Sequence, residues 1–128
     1  MIDIIGYDQL NKILWEEKDS ENIIMLYFGA SWCGPCKRLK EKLENEKEEI
    51  PRLKVLHLDC DVEDNELIVE DWNIESLPTQ IFVHVENKNV VKDERIEGFD
   101  WIKLIFSYKE IIEKRNDYSI DDENHVKV

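Results

Sequence analysis

The chain has 128 residues and a formal net charge of −13, with 42% apolar and 37% charged residues. That is the length of one domain with enough apolar residues for a core, so the composition excludes a disordered chain. The excess of 30 acids over 17 bases argues against nucleic acid or an anionic membrane as partner, and three cysteines are too few, and odd in number, for a disulfide-stapled secreted domain. The opening Met1-Ile2-Asp3-Ile4-Ile5 lacks a signal-segment pattern, and no stretch approaches the about 18 apolar residues of a membrane span. The expectation is a monomer in the reducing cytoplasm.

In chain order, Ile2, Ile4 and Ile5 predict a short first strand closed by Gly6, and Asp8 is the candidate N-cap of a helix. Leu10, Ile13 and Leu14 recur in that helix at helical spacing, and it ends near Glu17. The run Ile23 to Phe28 is continuously apolar, as in a strand covered on both faces. Gly29-Ala30-Ser31 turn into Trp32-Cys33-Gly34-Pro35-Cys36-Lys37, where Pro35 suits the first turn of a helix striped by Leu39 and Leu43. Val55 to Cys60 predicts a third strand. Asp64 or Asn65 is the candidate cap of a short helix through Ile68 to Trp72.

Leu77-Pro78-Thr79 then break the chain before a fourth strand, Gln80 to Val85. Asn87-Lys88-Asn89 turn it into a fifth, Val90 to Ile96, as a hairpin. Gly98 interrupts, and Asp100 can cap a last helix whose buried side carries Leu104, Ile105, Ile111 and Ile112. From residue 116 the chain reads as a polar, acidic tail after a domain of residues 1–115. The fold class is α/β, a mixed sheet of five strands flanked by four helices.

The string Phe28-Gly29-Ala30-Ser31-Trp32-Cys33-Gly34-Pro35-Cys36-Lys37, with Leu77-Pro78-Thr79 before a strand and Gly98 after the next, resembles the thioredoxin family over roughly residues 1–115. The resemblance implies the thioredoxin fold and a protein-disulfide reductase whose carrier is the Cys33/Cys36 pair, with no metal or organic cofactor. Physically, Cys33 lies just before a helix, where the dipole and unpaired N–H groups favour its thiolate. It is the expected nucleophile, and Cys36, one turn in, the expected resolving thiol. Gly34 and Pro35 form a stiff turn that sets the redox poise. The resemblance also implies a cis bond at Pro78, leaving Leu77 free to offer backbone groups to an extended substrate. Trp32, Thr79 and Gly98 complete the expected substrate rim.

The sequence departs from the family at two places. Thioredoxins commonly carry an aspartate six residues before the first cysteine, where this chain has Tyr27, and a lysine on the facing strand, where it has His57. A phenol is a poor base at neutral pH. A His57–Tyr27 pair could therefore supply the proton route for Cys36 instead. Tyr27 is also similar to the tryparedoxin and nucleoredoxin pattern, although those usually have Pro at Gly34. The expected partners are disulfide-containing proteins and a recharging donor, a thioredoxin reductase or another dithiol.

Other readings stay open at this point. One is a tryparedoxin- or nucleoredoxin-like carrier, and another is a thioredoxin-fold interaction module without turnover. A third makes the cysteine pair half of a metal site completed by Cys60 and one of His57, His84 or His125. Cys60 itself reads as a small apolar filler on a buried strand or as an oxidation site. Trp15, Trp72 and Trp101 read as packing residues. Lys37, Arg38 and Lys40 read as a solvated helix face that could meet an acidic partner or hold the Cys33 thiolate.

Overall fold

A computed structural model describes the backbone of residues 1–127 and the side chains of residues 1–116. Its elements are β1 (Ile2–Asp3), α1 (Gly6–Glu16), β2 (Ile23–Gly29), α2 (Gly34–Asn45), β3 (Leu53–Asp59), α3 (Glu66–Asp71), β4 (Thr79–Glu86), β5 (Asn89–Glu97) and α4 (Trp101–Lys127). The strands form one sheet in the order β1-β3-β2-β4-β5. β3 runs parallel to β1 and β2, and the pairs β2–β4 and β4–β5 are antiparallel. This is the five-stranded mixed sheet with four helices that the pattern of apolar runs predicted.

β2 sits at the centre of the sheet, and all seven of its residues are buried. Its side chains alternate between two cores, as strand geometry requires. Ile23, Met25 and Tyr27 join Leu39 and Leu43 of α2 and Leu104 and Tyr108 of α4. Ile24, Leu26 and Phe28 join Leu10 and Leu14 of α1 with Ile68 of α3. Each fully buried Leu, Ile or Phe contributes about 1.5–3 kcal/mol, so an uninterrupted apolar strand is stable only with helices on both faces.

Several local expectations are corrected. The first strand ends at Asp3, and the residue before α1 is Ile5, not Asp8, which lies in the helix's first turn. The free amides there are satisfied from elsewhere: Ile5 N–H donates to Gln9 Oε1 (2.7 Å) and Gly6 N–H to Asn65 Oδ1 (2.8 Å). Asn65 is wholly buried, and its amide also donates to the carbonyls of Ile4 (3.0 Å) and Asp59 (3.1 Å). Asp100 does cap α4, accepting from Lys103 N–H at 3.0 Å. Tyr108 is the buried anchor that the apolar count missed; its hydroxyl accepts from Arg52 N–H (3.0 Å).

Trp15 is 47% exposed with Lys18 over its ring, so it packs against a cation rather than the core. Trp72 is buried and Trp101 half-buried. α4 continues through Lys127, so the backbone past residue 116 is helical. The side chains from residue 117 on, His125 included, lie outside the described residues.

Candidate active site

β2 delivers the chain to a tight turn, and α2 starts at Gly34 with Cys33 as its N-cap residue. Cys33 is extended there (φ −84°, ψ 112°), and its Sγ accepts a hydrogen bond from Cys36 N–H at 3.2 Å. A sulfur placed this way receives an otherwise unpaired first-turn amide and the positive end of the helix dipole. Both favour a thiolate once the thiols are reduced. Cys33 and Cys36 are joined as a disulfide with Cα atoms 5.2 Å apart, and both are buried. Pro35 lies in the first helical turn. A Cβ at Gly34 would meet nothing within 4 Å, so a larger residue there would stand in the open above the disulfide.

Behind the sulfurs, Tyr27 and His57 face each other across β2 and β3, with ring centroids 4.8 Å apart. The Tyr27 hydroxyl donates to the carbonyl oxygen of Cys36 (3.1 Å), not to a sulfur. Burial, and then the charges of Asp59 and Cys60, push its pKa up to about 12. Gly29 leaves room for this ring: a Cβ there would lie 2.8 Å from Tyr27 Cε1 and 2.9 Å from its hydroxyl oxygen. His57 Nδ1 pairs with Asp3 Oδ1 at 2.9 Å.

The peptide bond Leu77–Pro78 is cis, with Pro78 buried and Leu77 half-buried. Thr79 is wholly buried, and its hydroxyl donates to Ser76 O (2.6 Å), closing the turn on itself. Gly98 N–H donates to Pro78 O at 2.7 Å. Gly98 has φ +84°, a conformation that costs other L-residues about 1 kcal/mol or more, and a Cβ there would meet nothing within 4 Å. Trp32 stands 69% exposed beside the disulfide, its Nε1–H held by Asp61 Oδ2 at 2.9 Å. Between Trp32 and Leu77 opens a cavity of about 270 Å³, also lined by Cys60, Val69, Ile74 and Glu75.

The sequence model of the Thioredoxin family matches residues 8–106. The chain belongs to the thioredoxin family. A thioredoxin of Malassezia sympodialis is 30% identical over 101 residues, 79% of this chain and 89% of that protein. A Ricinus communis H-type thioredoxin is 33% identical over 73 residues, 57% of this chain and 60% of its own length. A Caenorhabditis elegans peptide-N(4)-(N-acetyl-beta-glucosaminyl)asparagine amidase is 37% identical over 75 residues, 59% of this chain but 12% of that protein. The chain thus aligns with less than two thirds of the length of some relatives. The structure of Trichomonas vaginalis thioredoxin superposes with a TM-score of 0.74 at 21% identity, covering 87% of this chain and 96% of that one. That of Fasciola hepatica thioredoxin gives 0.71 at 26% identity, covering 86% and 98%. The thioredoxin fold is therefore the fold of this chain.

The structure gathers the expected residues of the thioredoxin motif, Trp32, Cys33, Gly34, Pro35, Cys36, Leu77, Pro78, Thr79 and Gly98, at one end of the sheet. Tyr27 and His57 lie one layer below. Lys37, Arg38 and Lys40 are exposed on α2. His84 is at the other end of β4, its Nδ1 on Asp93 Oδ2 (2.8 Å), beside a separate cavity of about 890 Å³ that no cysteine lines. It does not share a site with the cysteines. Among the described residues no group of three or more His, Cys, Asp or Glu is placed to hold a metal ion.

Cys60 is not a filler within a strand. It follows the end of β3, half-buried at the cavity wall, and burial with the charges of Asp59 and Asp61 pushes its thiol up to about 11. Gln80 is a neighbour that the sequence reading missed. It is wholly buried opposite Tyr27, donates to Gly98 O (3.1 Å), and leaves its Oε1 without a partner among the described residues. The available signal was an amide directly before the apolar run Ile81-Phe82-Val83.

Proposed function

We propose that this chain is a thiol-disulfide oxidoreductase that reduces protein disulfides, with Cys33 as nucleophile and Cys36 as resolving thiol. One observation carries the reading: a Cys33–Cys36 pair at a helix start, its first sulfur hydrogen-bonded by the Cys36 amide, in a cluster that Leu77 packs against. In the reduced form the Cys33 thiolate attacks a substrate disulfide, forming a mixed disulfide and expelling one substrate thiolate, which takes up a proton. Cys36 then loses its proton, attacks the Cys33 sulfur and expels the second substrate thiolate. Two electrons have passed to the substrate, and the chain is left as the disulfide. An external donor, a thioredoxin reductase or another dithiol, returns two electrons and two protons. Leu77, at the cavity beside Trp32, offers its backbone to an extended substrate segment, and Trp32, with Gly34, Pro35, Thr79 and Gly98, shapes the contact around it.

The same reading makes His57 the acceptor of the Cys36 proton, with Tyr27 positioning the Cys36 backbone. The tilted contact of the two rings, with Tyr27 bonded to the Cys36 carbonyl, supports it. The place of action is a reducing compartment such as the cytoplasm, where a half-buried free thiol like Cys60 survives. No helix among the described residues is long and apolar enough to cross a membrane.

Insulin reduction with dithiothreitol as donor tests the activity. Cys33→Ser should abolish it, and Cys36→Ser should accumulate a mixed disulfide visible by mass spectrometry. Turnover that survives Cys33→Ser would defeat the reading. For His57→Ala the rate–pH profile should change shape, and an unchanged profile removes His57 from the proton route.

A further inference from the structure

The cavity beside the disulfide has an apolar wall, formed by Trp32, Val69, Ile74 and Leu77, and Cys60 stays a neutral thiol there near pH 7. Among its described lining residues Glu75 alone carries charge, and Glu75 is exposed at the mouth, two residues before Leu77. The surrounding chain has the same sign. Residues 59–75 contain eight acids, and there is no Lys or Arg from residue 55 to residue 87. Two cations do reach this segment from β5, but both are engaged. Arg95 donates to the carbonyls of Trp72 and Asn73 and pairs with Glu97, and Lys92 lies over the Trp72 ring. The first turns of α2, which follow Cys36, expose Lys37, Arg38 and Lys40, and none of them lines the cavity. The cavity's own surroundings are therefore acidic, and the exposed cations nearest the cysteines in the chain belong to α2.

We propose that this groove selects disulfide substrates carrying Lys or Arg next to the reacting cysteine, and that Glu75 is the specificity-determining residue. The inference rests on the reductase reading above and names the substrate class of that same site. An extended segment that lies along Leu77 and Pro78 to present its sulfur to Cys33 places its neighbouring side chain over the cavity. A basic side chain suits that place in two ways, because its methylene stem packs on the apolar wall while its charged head reaches Glu75 and solvent. An acidic side chain would meet Glu75 and the field of residues 59–75 at close range. An exposed ion pair of this kind is worth a few-fold in rate constant, and like-charge repulsion works in the same direction.

The test uses the pre-reduced full chain and two peptides, each closed by one intramolecular disulfide and identical except for Lys or Glu on both sides of one cysteine. Single-turnover second-order rate constants are read by thiol release, alongside the neutral 2-hydroxyethyl disulfide. The Lys peptide should react about fivefold faster than the Glu peptide at low salt. The ratio should fall towards one in 1 M salt, where the screening length is about 3 Å. Within Glu75→Gln the ratio should shrink, and within Glu75→Lys it should invert or reach one. Equal rates for the two peptides, or a ratio unchanged in Glu75→Lys, overturn the proposal while the neutral disulfide still reports reductase activity. Failure of the wild-type chain on the neutral disulfide instead overturns the reductase reading, and this proposal with it.

Discussion

At the scale of single residues, Tyr27 shows how a changed side chain keeps its place and alters its chemistry. It lies 3% exposed between the sheet and α2, bonded to the Cys36 carbonyl, with a pKa near 12. A group at that value is no base at neutral pH, so its part is to hold the backbone of the resolving cysteine. Its folded-state pKa is raised above the ordinary value of 10, so the stabilisation is fully present below about pH 10 and is lost as pH rises towards 12. Urea unfolding should therefore show stability falling across that window, by about 2 kcal/mol from this group. Tyr27→Phe should remove that part of the fall and cost about 1 kcal/mol at pH 7 for the lost hydrogen bond. An identical alkaline fall in Tyr27→Phe would assign it elsewhere. The sequence marked Tyr27 as a departure from the family pattern. It could not show where the hydroxyl points, because that depends on the space left at Gly29 and on the Cys36 carbonyl turning inward.

At the scale of elements, α1 and β3 are tied by Glu17, which ion-pairs with Lys54 and accepts from Ser20 Oγ and Asn22 Nδ2. Lys54 first, and then Ser20, draw the Glu17 carboxyl down to about 2. A depressed carboxyl contributes stability above its ordinary pKa of 4.5 and loses it as pH falls towards 2. Lys54→Met should lower stability at pH 7 and flatten the decline between pH 5 and pH 2.5 in urea titrations. An acid limb as steep as wild type would show that the tie is weak. Elements of this kind were legible where their cause is local. β2 could be read because the apolar run Ile23 to Phe28 leaves one solution, and the hairpin because Asn87-Lys88-Asn89 breaks two strand-like runs; the structure narrows that turn to Asn87 and Lys88, both at positive φ, with Asn89 already in β5. The start of α1 was misplaced because its amides are satisfied by Gln9 and by Asn65, and Asn65 is 59 residues away. The irregular register of β4 and β5, between Phe82 and Val83, was equally hidden.

At the scale of the whole molecule, two cores of side chains are held on one sheet, Leu77 packs against both, and the redox turn stands where β2 leaves the sheet. The motif made the front of the site legible because spacing and strand order are written in the chain. Gln80 and the position of Cys60 were not, since burial depends on what the other strands bring. Asn65 extends this to the residues that lead into α1. Its one amide holds the carbonyl of Ile4, the N–H of Gly6 and the carbonyl of Asp59, the residue before Cys60 and two before Asp61. Asn65→Ala should cost about 2–3 kcal/mol by leaving buried groups unpaired. Amide hydrogen exchange should quicken at both Gly6 and Asp61, and quickening at only one would mean that they open independently. Ile4 and Gly6 thus brace the loop that holds the exposed indole beside the disulfide. Trimming these residues to make a minimal redox domain would therefore slacken the proposed substrate face at a distance, without removing any residue proposed to meet substrate.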